Sequence, residues 1–457
     1  MSSPPSDIRS AGCSDSRAVR SSASALPWLG IYLSAVTLPL FALLIAPAQA
    51  GLGFLWDFAM ALGYAGLAML VVQFALTARV RRVTAPFGID LVYYFHRYLA
   101  VLGLLVVLVH YAILKITNPD ALGPLDWRIA PPHMTAGRLA LLLFLAAVLL
   151  SLLRRQLRLE YDRWRLTHAL LTTAGVALAL AHMLGSGHYL DNPWKQSLWA
   201  CYGIAWAGLI VYVRVWRPWR LTRRPWRIID VRAERGRVWT LVLNRPYGRP
   251  QSFAPGQFGW LSARSSPFAM REHPFSIASS AARPERVELS IKELGDFTAG
   301  IKDLRPGETV WFDAPYGAFT IDRHPNRAGY VFVAGGIGIA PIMSMLRTLR
   351  DRRDRRPLYL FYGNRVWDRI AFREELDELA RTLDLTVVHV LIEPPADWRG
   401  ERGFVTREVL SRHLAAAALQ RDFFICGPLP MSRDVERSLH LLGVSATRVH
   451  AEIFDWV

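Results

Sequence analysis

Four histidines stand in strongly apolar sequence as two matched pairs, His96 with His110 and His168 with His182. The members of each pair are fourteen residues apart. In an α-helix fourteen residues turn through about 1400°, some 40° short of four turns, and rise about 21 Å. The two histidines of a pair therefore share one helix face at two depths. Imidazole nitrogen is a good axial ligand for haem iron. Two such helices side by side would present two facing His/His pairs, enough to hold two b-type haems stacked across a membrane. A transition-metal transport site is the rival reading, and it calls for ligands at one depth, not two. A lone histidine in an apolar helix is ordinarily a satisfied core residue, but ionisable groups inside lipid are costly and functional by default.

The elements that must position these histidines are apolar segments at 28–48, 54–78, 91–114, 136–153, 165–186 and 197–216. Each approaches or exceeds the ~20 residues that span a bilayer core. Arginines cluster beside them: Arg9, Arg17 and Arg20 before the first, Arg79, Arg81 and Arg82 after the second, Arg154, Arg155, Arg158, Arg163 and Arg165 between the fourth and fifth, and Arg214, Arg217, Arg220, Arg223 and Arg224 at the close of the sixth. The loops 49–53, 115–135 and 187–196 are poor in arginine. The positive-inside rule then puts the N-terminus and everything after residue 217 in the cytoplasm, as in a multi-pass protein of a bacterial-type inner or plasma membrane. The third and fifth segments run outward in parallel, so His96 and His168 share the inner depth and His110 and His182 the outer. His133 and His188 fall in the outward loops, where they either shape an acceptor site or are ordinary interfacial residues.

The chain has 457 residues and a net charge of +17. In a soluble protein that charge would suggest nucleic acid; here its place beside apolar segments makes it a topology signal, and no nucleic-acid partner is expected. Cys13, Cys201 and Cys426 are too scattered for a disulfide framework or a zinc site. Residues 1–26 are Ser-rich and polar, and are expected to form a disordered cytoplasmic tail.

After Arg224 the pattern changes. Short alternating runs such as Val238–Leu243 and Val287–Ile291, separated by Pro255-Gly256, Pro306-Gly307 and Pro315-Tyr316-Gly317, predict a small antiparallel barrel. From residue 329 strands at 330–334, 358–362, 386–391 and 422–425 alternate with helices at 342–349 and 372–383, the pattern of a parallel α/β sheet. The expected fold is multidomain. A six-helix transmembrane bundle (27–218) leads into an antiparallel β-barrel (219–325) and an α/β nucleotide-binding unit (326–457).

His273-Pro274-Phe275-Ser276 resembles the flavin signature of the ferredoxin–NADP reductase superfamily, in the form seen in NADPH oxidases and ferric reductases. Together with the membrane histidines the resemblance covers about residues 28–457. It implies FAD on the barrel, with Phe275 and Ser276 against the isoalloxazine and His273 and Pro274 shaping the turn. Gly295-Asp296-Phe297-Thr298 resembles the second flavin segment, where Gly295, Asp296 and Thr298 would meet the pyrophosphate. Gly335-Gly336-Ile337-Gly338, followed by Ala340-Pro341, resembles the family's glycine loop for the NAD(P)H pyrophosphate; glycines let backbone approach a phosphate at a helix start. Arg365, in Tyr362-Gly363-Asn364-Arg365, either pairs with a 2′-phosphate and selects NADPH over NADH, or is a surface arginine. Cys426-Gly427-Pro428 resembles the nicotinamide-side motif, with Cys426 packing or positioning rather than attacking. His450-Ala451-Glu452-Ile453-Phe454 resembles the terminal segment that covers the flavin. Phe454 is the candidate lid and Trp456 a second candidate.

The resemblance implies a membrane oxidoreductase. NAD(P)H reduces FAD in the cytoplasm, and electrons pass to the haem of His96/His168, then to that of His110/His182, then to a small-molecule acceptor outside. Oxygen, a ferric chelate and a periplasmic protein all fit this wiring, and the sequence makes no protein partner evident.

Overall fold

Twenty or more apolar residues in helical conformation bridge a bilayer core, because only a helix satisfies its own backbone groups in lipid. In a computed structural model of the chain, which describes residues 26–45, 53–81, 89–187, 189–190, 192–246 and 250–453, five helices meet that requirement by length and composition. They are α2 (Phe54–Thr77), α3 (Ile89–Thr117), α4 (Pro132–Leu152), α5 (Tyr161–Ser186) and α6 (Pro193–Val211); α6 continues through a π turn, Tyr212–Trp216, into a last helical stretch, Arg217–Thr222. The preceding α1 (Leu26–Leu44) has a shorter apolar stretch among the described residues, Pro27–Ala42. The expected first span reached 48, and its end lies outside them, as do the tail to residue 25 and His188.

α3 to α5, and α6 with its continuation, run longer than the apolar segments predicted, while α2 matches its segment to within one residue. Proline supplies the first turn of α4 and of α6, where a missing N–H costs nothing. At the other end, α5 begins in the charged stretch from Tyr161. α2 packs along α3, and α4 along α5, through a core of Tyr64, Leu104, Phe144 and Val176. Close approach is allowed where a side chain is missing: a Cβ on Gly66 would sit 2.5 Å from Val107, and one on Gly175 would sit 2.8 Å from Phe144.

Strand β1 (Trp226–Glu234) begins four residues after the last helical residue, Thr222. It belongs to an antiparallel sheet with β2 (Val238–Asn244), β3 (Phe258–Ala263), β4 (His273–Ser276), β5 (Arg286–Lys292) and β6 (Thr309–Tyr316). The strand order is β4-β3-β6-β1-β2-β5. An isolated bridge, Ile277 to Leu289, brings the two ends of this order together. The expected runs Val238–Leu243 and Val287–Ile291 are β2 and β5.

The second sheet is parallel, in the order β10-β9-β8-β7-β11-β12. Its strands are β7 (Tyr330–Gly335), β8 (Leu358–Asn364), β9 (Leu385–Leu391), β10 (Glu401–Arg402), β11 (Asp422–Gly427) and β12 (Val449–Ile453). Helices α7 (Ile339–Asp351) and α8 (Arg373–Thr382) pack on one face with Phe332, Leu360 and Phe424. α9 (Arg407–His413) and α10 (Leu429–Leu441) pack on the other with Val331, Phe361 and Ile425. Strands buried on both faces read as continuous apolar runs, as β7, β8 and β11 do, whereas β10 and β12 were not among the expected strands.

The antiparallel sheet is bolted to the arginine-bearing ends of the helices. Glu272, the residue before β4, accepts from Arg79 at 2.8 Å and Arg165 at 2.5 Å, with Arg217 3.9 Å away. Asp313 on β6 pairs with Arg217 at 2.7 Å and Arg81 at 2.8 Å, and accepts from the Tyr316 hydroxyl at 2.8 Å. The Arg79 guanidinium also lies 3.4 Å over the Trp260 ring of β3, a cation–π contact. Burial alone would raise the Glu272 carboxyl, but Arg79, Arg165 and Arg217 outweigh it and hold the group well below the usual carboxylate range. Burial likewise opposes ionisation of Asp313, and Arg217 and Arg81 reverse it.

Candidate functional site

His96 and His110 lie on α3, and His168 and His182 on α5. The rings of His96 and His168 face one another with centroids 6.4 Å apart and planes at 83°. With metal–nitrogen bonds of about 2 Å and a ring centre roughly 1.1 Å behind each nitrogen, two imidazoles on one ion have centroids about 6.3 Å apart. His110 and His182 line one predominantly apolar cavity between the helix pairs, with Gly63, Gly137, Arg138 and Phe144. His96 thus faces His168 across α3 and α5, and His110 and His182 share the cavity further along the same two helices.

Each ring is oriented by an acceptor on a neighbouring helix. Nδ1 of His110 stands 2.6 Å from the Ala59 carbonyl, and Nδ1 of His182 stands 2.9 Å from the His133 carbonyl. A carbonyl only accepts, so these nitrogens carry the proton. Nδ1 of His168 meets Ser151 Oγ at 3.2 Å, and that hydroxyl donates its own proton to the Ala147 carbonyl at 2.6 Å. Ser151 is therefore an acceptor for His168, as it is for Trp164 Nε1 at 3.2 Å. Gln73 Oε1 takes the same part for His96 at 3.0 Å. The tautomer that results leaves every Nε2 lone pair available, the arrangement that metal-ligating histidines require. Two of the rings also need space behind them. A Cβ on Gly63 would sit 3.0 Å from the His110 ring, and one on Gly137 would sit 2.7 Å from His182.

In the antiparallel sheet, His273 to Ser276 form β4, paired to β3 through Leu261↔His273 and Phe258↔Ser276. Phe297, between Asp296 and Thr298, stacks on His273 at 3.9 Å and on Phe275 at 6.0 Å. The two expected flavin segments thus meet in space. The Thr298 hydroxyl is used by its own turn, accepting from the Gly295 and Leu294 amides at 2.9 and 2.8 Å.

The glycines of the parallel sheet divide into two kinds. A Cβ on Gly338 would lie 2.1 Å from the Cys426 carbonyl, one on Gly335 would lie 2.6 Å from Met431 Sδ, and one on Gly427 would lie 3.0 Å from the Gly335 amide. These three let the ends of β7 and β11 touch. Of the four candidate glycines here, Gly336, at φ +54°, faces open space, with Lys292 Nζ alone among the described residues within 4 Å of a notional Cβ. Pro341 is buried in the first turn of α7, and Pro428 caps α10. Cys426 is fully buried in the core. Arg365 is exposed and ion-paired with Glu393 at 2.8 Å. Phe454 and Trp456 lie outside the described residues.

Three family models match in succession. A ferric reductase like transmembrane component covers residues 62–181, an FAD-binding domain 224–319, and an oxidoreductase NAD-binding domain 332–437. The chain joins a ferric reductase-like transmembrane component to FAD- and NAD-binding oxidoreductase domains. That is the fused architecture of ferric reductases and NADPH oxidases, as the motifs implied. Curated relatives share the reductase half. NADH-cytochrome b5 reductase 1 of Candida albicans is 32% identical over 169 residues, 36% of this chain and 57% of the relative. The reductase component of propane 2-monooxygenase of Rhodococcus jostii is 32% identical over 212 residues, 44% of this chain and 55% of the relative. The chain thus spans a little over half the length of these two relatives. Among solved structures, flavohemoglobin from Malassezia yamatoensis has a TM-score of 0.49 at 16% identity, covering 94% of this chain and 98% of that one.

Sequence reasoning missed the residues that arrive from elsewhere in the chain. Lys292, at the end of β5, points no signal toward the glycine loop it meets. Gln73, Ser151 and the Ala59 and His133 carbonyls are unremarkable in an apolar helix. Gly63 and Gly137 offered a usable sign, since each is a missing side chain on the helix that faces a histidine.

Proposed function

We propose that this protein carries electrons from cytoplasmic NAD(P)H through FAD and two b-type haems to oxygen or a ferric chelate on the outer side. The observation that carries the reading is the set of four oriented imidazoles. The His96–His168 separation suits one iron, and all four rings have Nδ1 committed and Nε2 available. When bound, FAD takes hydride and passes electrons on singly, and bis-histidine haems relay them. His96 and His168 would hold the inner haem, and His110 and His182 the outer. Phe275, with Phe297, would hold the isoalloxazine, and Gly336 with Lys292 the nucleotide pyrophosphate. We also assign six spans and a barrel that closes through the Ile277–Leu289 bridge. The docking supports a cytoplasmic FAD-binding sheet: Arg79, Arg81, Arg165 and Arg217, on the side that the positive-inside rule makes cytoplasmic, are the residues that grip it.

Purified full-length protein tests this reading. It should show a Soret band, two haems b per FAD, and NADPH-driven reduction of both haems. Superoxide-dismutase-sensitive reduction of a probe in air, set against anaerobic reduction of a ferric chelate, identifies the acceptor. Protein loaded under haem-replete conditions and lacking a Soret band would remove the haem assignment.

The glycine behind the outer pair gives a sharper result. Gly137→Val places carbons where the His182 ring stands. Haem content should fall from two toward one, with the inner haem still reduced by NADPH. Unchanged haem content would show that His182 needs no such space.

Arg365 supplies the nucleotide prediction. Its partner Glu393 is exposed, and exposed pairs are weak. A doubly charged 2′-phosphate is the stronger attraction. Arg365→Ala should raise the NADPH KM about tenfold and leave that for NADH nearly unchanged. Glu393→Gln should lower the NADPH KM. Equal changes for both nucleotides would take Arg365 out of the phosphate site.

A further inference from the structure

The parallel sheet has a second cluster of ligating side chains at the end opposite the glycine loop. Asp422 opens β11, five positions before Gly427 and about 16 Å from it along the strand. His450 is the second residue of β12, in register with Phe424. His324 follows the short helical turn Ile321–Arg323 in the connection between the two sheets. His324 Nδ1 is 3.3 Å from Asp422 Oδ2, and His450 Nε2 is 3.6 Å from the same oxygen. The two rings lie 4.1 Å apart, and one ligand atom from each of the three residues falls within 4.8 Å of the others.

The polar atoms here are incompletely used. Asp422 is fully buried and its Oδ1 has no hydrogen-bond partner. His450 Nε2 is buried and stands beyond hydrogen-bond length of the carboxylate. Buried polar atoms left without partners call for a specific cause, and an ion is one. A cation already on the carboxylate is Arg327, whose Nε meets Asp422 Oδ2 at 2.9 Å, and Arg323 adds positive charge near His324. The Arg327 side chain is 38% exposed, so it can withdraw into solvent.

We propose that His324, Asp422 and His450 form a divalent transition-metal site of the zinc class, independent of the electron-transfer reading. Two imidazoles and a carboxylate are a borderline N/O donor set that suits zinc. Ligand atoms 2.0–2.1 Å from a tetrahedral ion lie about 3.3 Å apart, close to the two separations seen. The fourth position is open to water. Arg327 is then a competitor for the carboxylate, displaced when the ion enters. The ion would tie the connection between the sheets to β11 and to the last strand.

The experiment uses full-length, flavin- and haem-loaded protein, stripped with chelator, incubated with zinc chloride, desalted and assayed for zinc per chain by atomic emission. Wild-type protein should retain about one zinc more than His324→Gln and His450→Gln. Both exchange a partly exposed ring for an amide, and their flavin content reports folding. Arg327→Gln should retain zinc at lower free concentration than wild type, a gain that a purely structural ion pair does not give. Equal zinc in wild type and His324→Gln would overturn the site, as would weaker retention in Arg327→Gln.

Discussion

His168→Ala should leave NAD(P)H able to reduce the flavin and stop electrons there. The His168 ring faces His96 at the depth nearer the FAD-binding sheet, so in the proposed scheme an electron bound for the outer pair has to pass it. Altering a residue that merely orients a metal ligand costs 10–100-fold, so removing the ligand itself should lower transmembrane turnover on the order of a hundredfold or more. Reduction of a soluble dye by NADPH, which needs only the flavin, should stay near the wild-type rate. Ser151→Ala gives the graded comparison. It removes the hydroxyl that orients His168 and keeps the imidazole, so its deficit should fall in the 10–100-fold range. Full outward turnover in His168→Ala would send the electron path elsewhere.

The second large effect is expected at Glu272, which touches no cofactor in the proposed scheme. Glu272→Gln keeps the shape and removes the charge that Arg79 and Arg165 both reach. All three side chains are largely buried, with Glu272 16% exposed, Arg79 4% and Arg165 18%. Removing one partner of a buried pair costs on the order of 3–5 kcal/mol, because the remaining charge stays desolvated and unmatched. The strain falls on β4, one residue away, and on the placement of Phe275 above the helices. Haem reduction by NADPH should slow, while dye reduction and the haem spectrum stay as in wild type. Rates matching wild type for both acceptors would show that the ion pairs hold the sheet without aligning it.

The same pairs set a pH dependence. The folded carboxyls of Glu272 and Asp313 are held below their ordinary values. Their contribution to stability is therefore complete above the unfolded values, about 4, and is lost as pH falls from there toward the folded ones. Thermal unfolding of the docked unit should be flat in pH through the neutral range and drop below about pH 4.

Much of this was legible in the chain. Fourteen-residue spacing needs only helical geometry to put two histidines on one face, and the parallel strands β7, β8 and β11 are buried on both sides, so they read as plain apolar runs. What the sequence hid depends on two elements meeting. Arg79, Arg81, Arg165 and Arg217 read as a topology signal, and charge counting cannot reveal that they also close on Glu272 and Asp313. Gly335 and Gly338 read as a phosphate cradle and Gly427 as part of the nicotinamide-side motif, yet a Cβ on each would strike the protein's own atoms. Within that loop, Gly336 has the open space that a ligand requires. A local motif specifies which residues are small. Whether the vacated room belongs to a ligand or to a neighbouring strand is decided by packing across distant segments.

The passage from α6 through the π turn to Thr222 leaves three residues before Trp226 begins β1. Three residues span at most about 11 Å. With so little slack, and with carboxylates locked on both β6 and the approach to β4, the FAD-binding sheet cannot act as a shuttle that docks with a nucleotide module, swings away and unloads elsewhere. It behaves as a bracket welded to the end of a beam. Electron transfer from the sheet to the helices in such a machine crosses distances fixed at folding, so that step should be indifferent to solvent viscosity where a swinging carrier would be slowed.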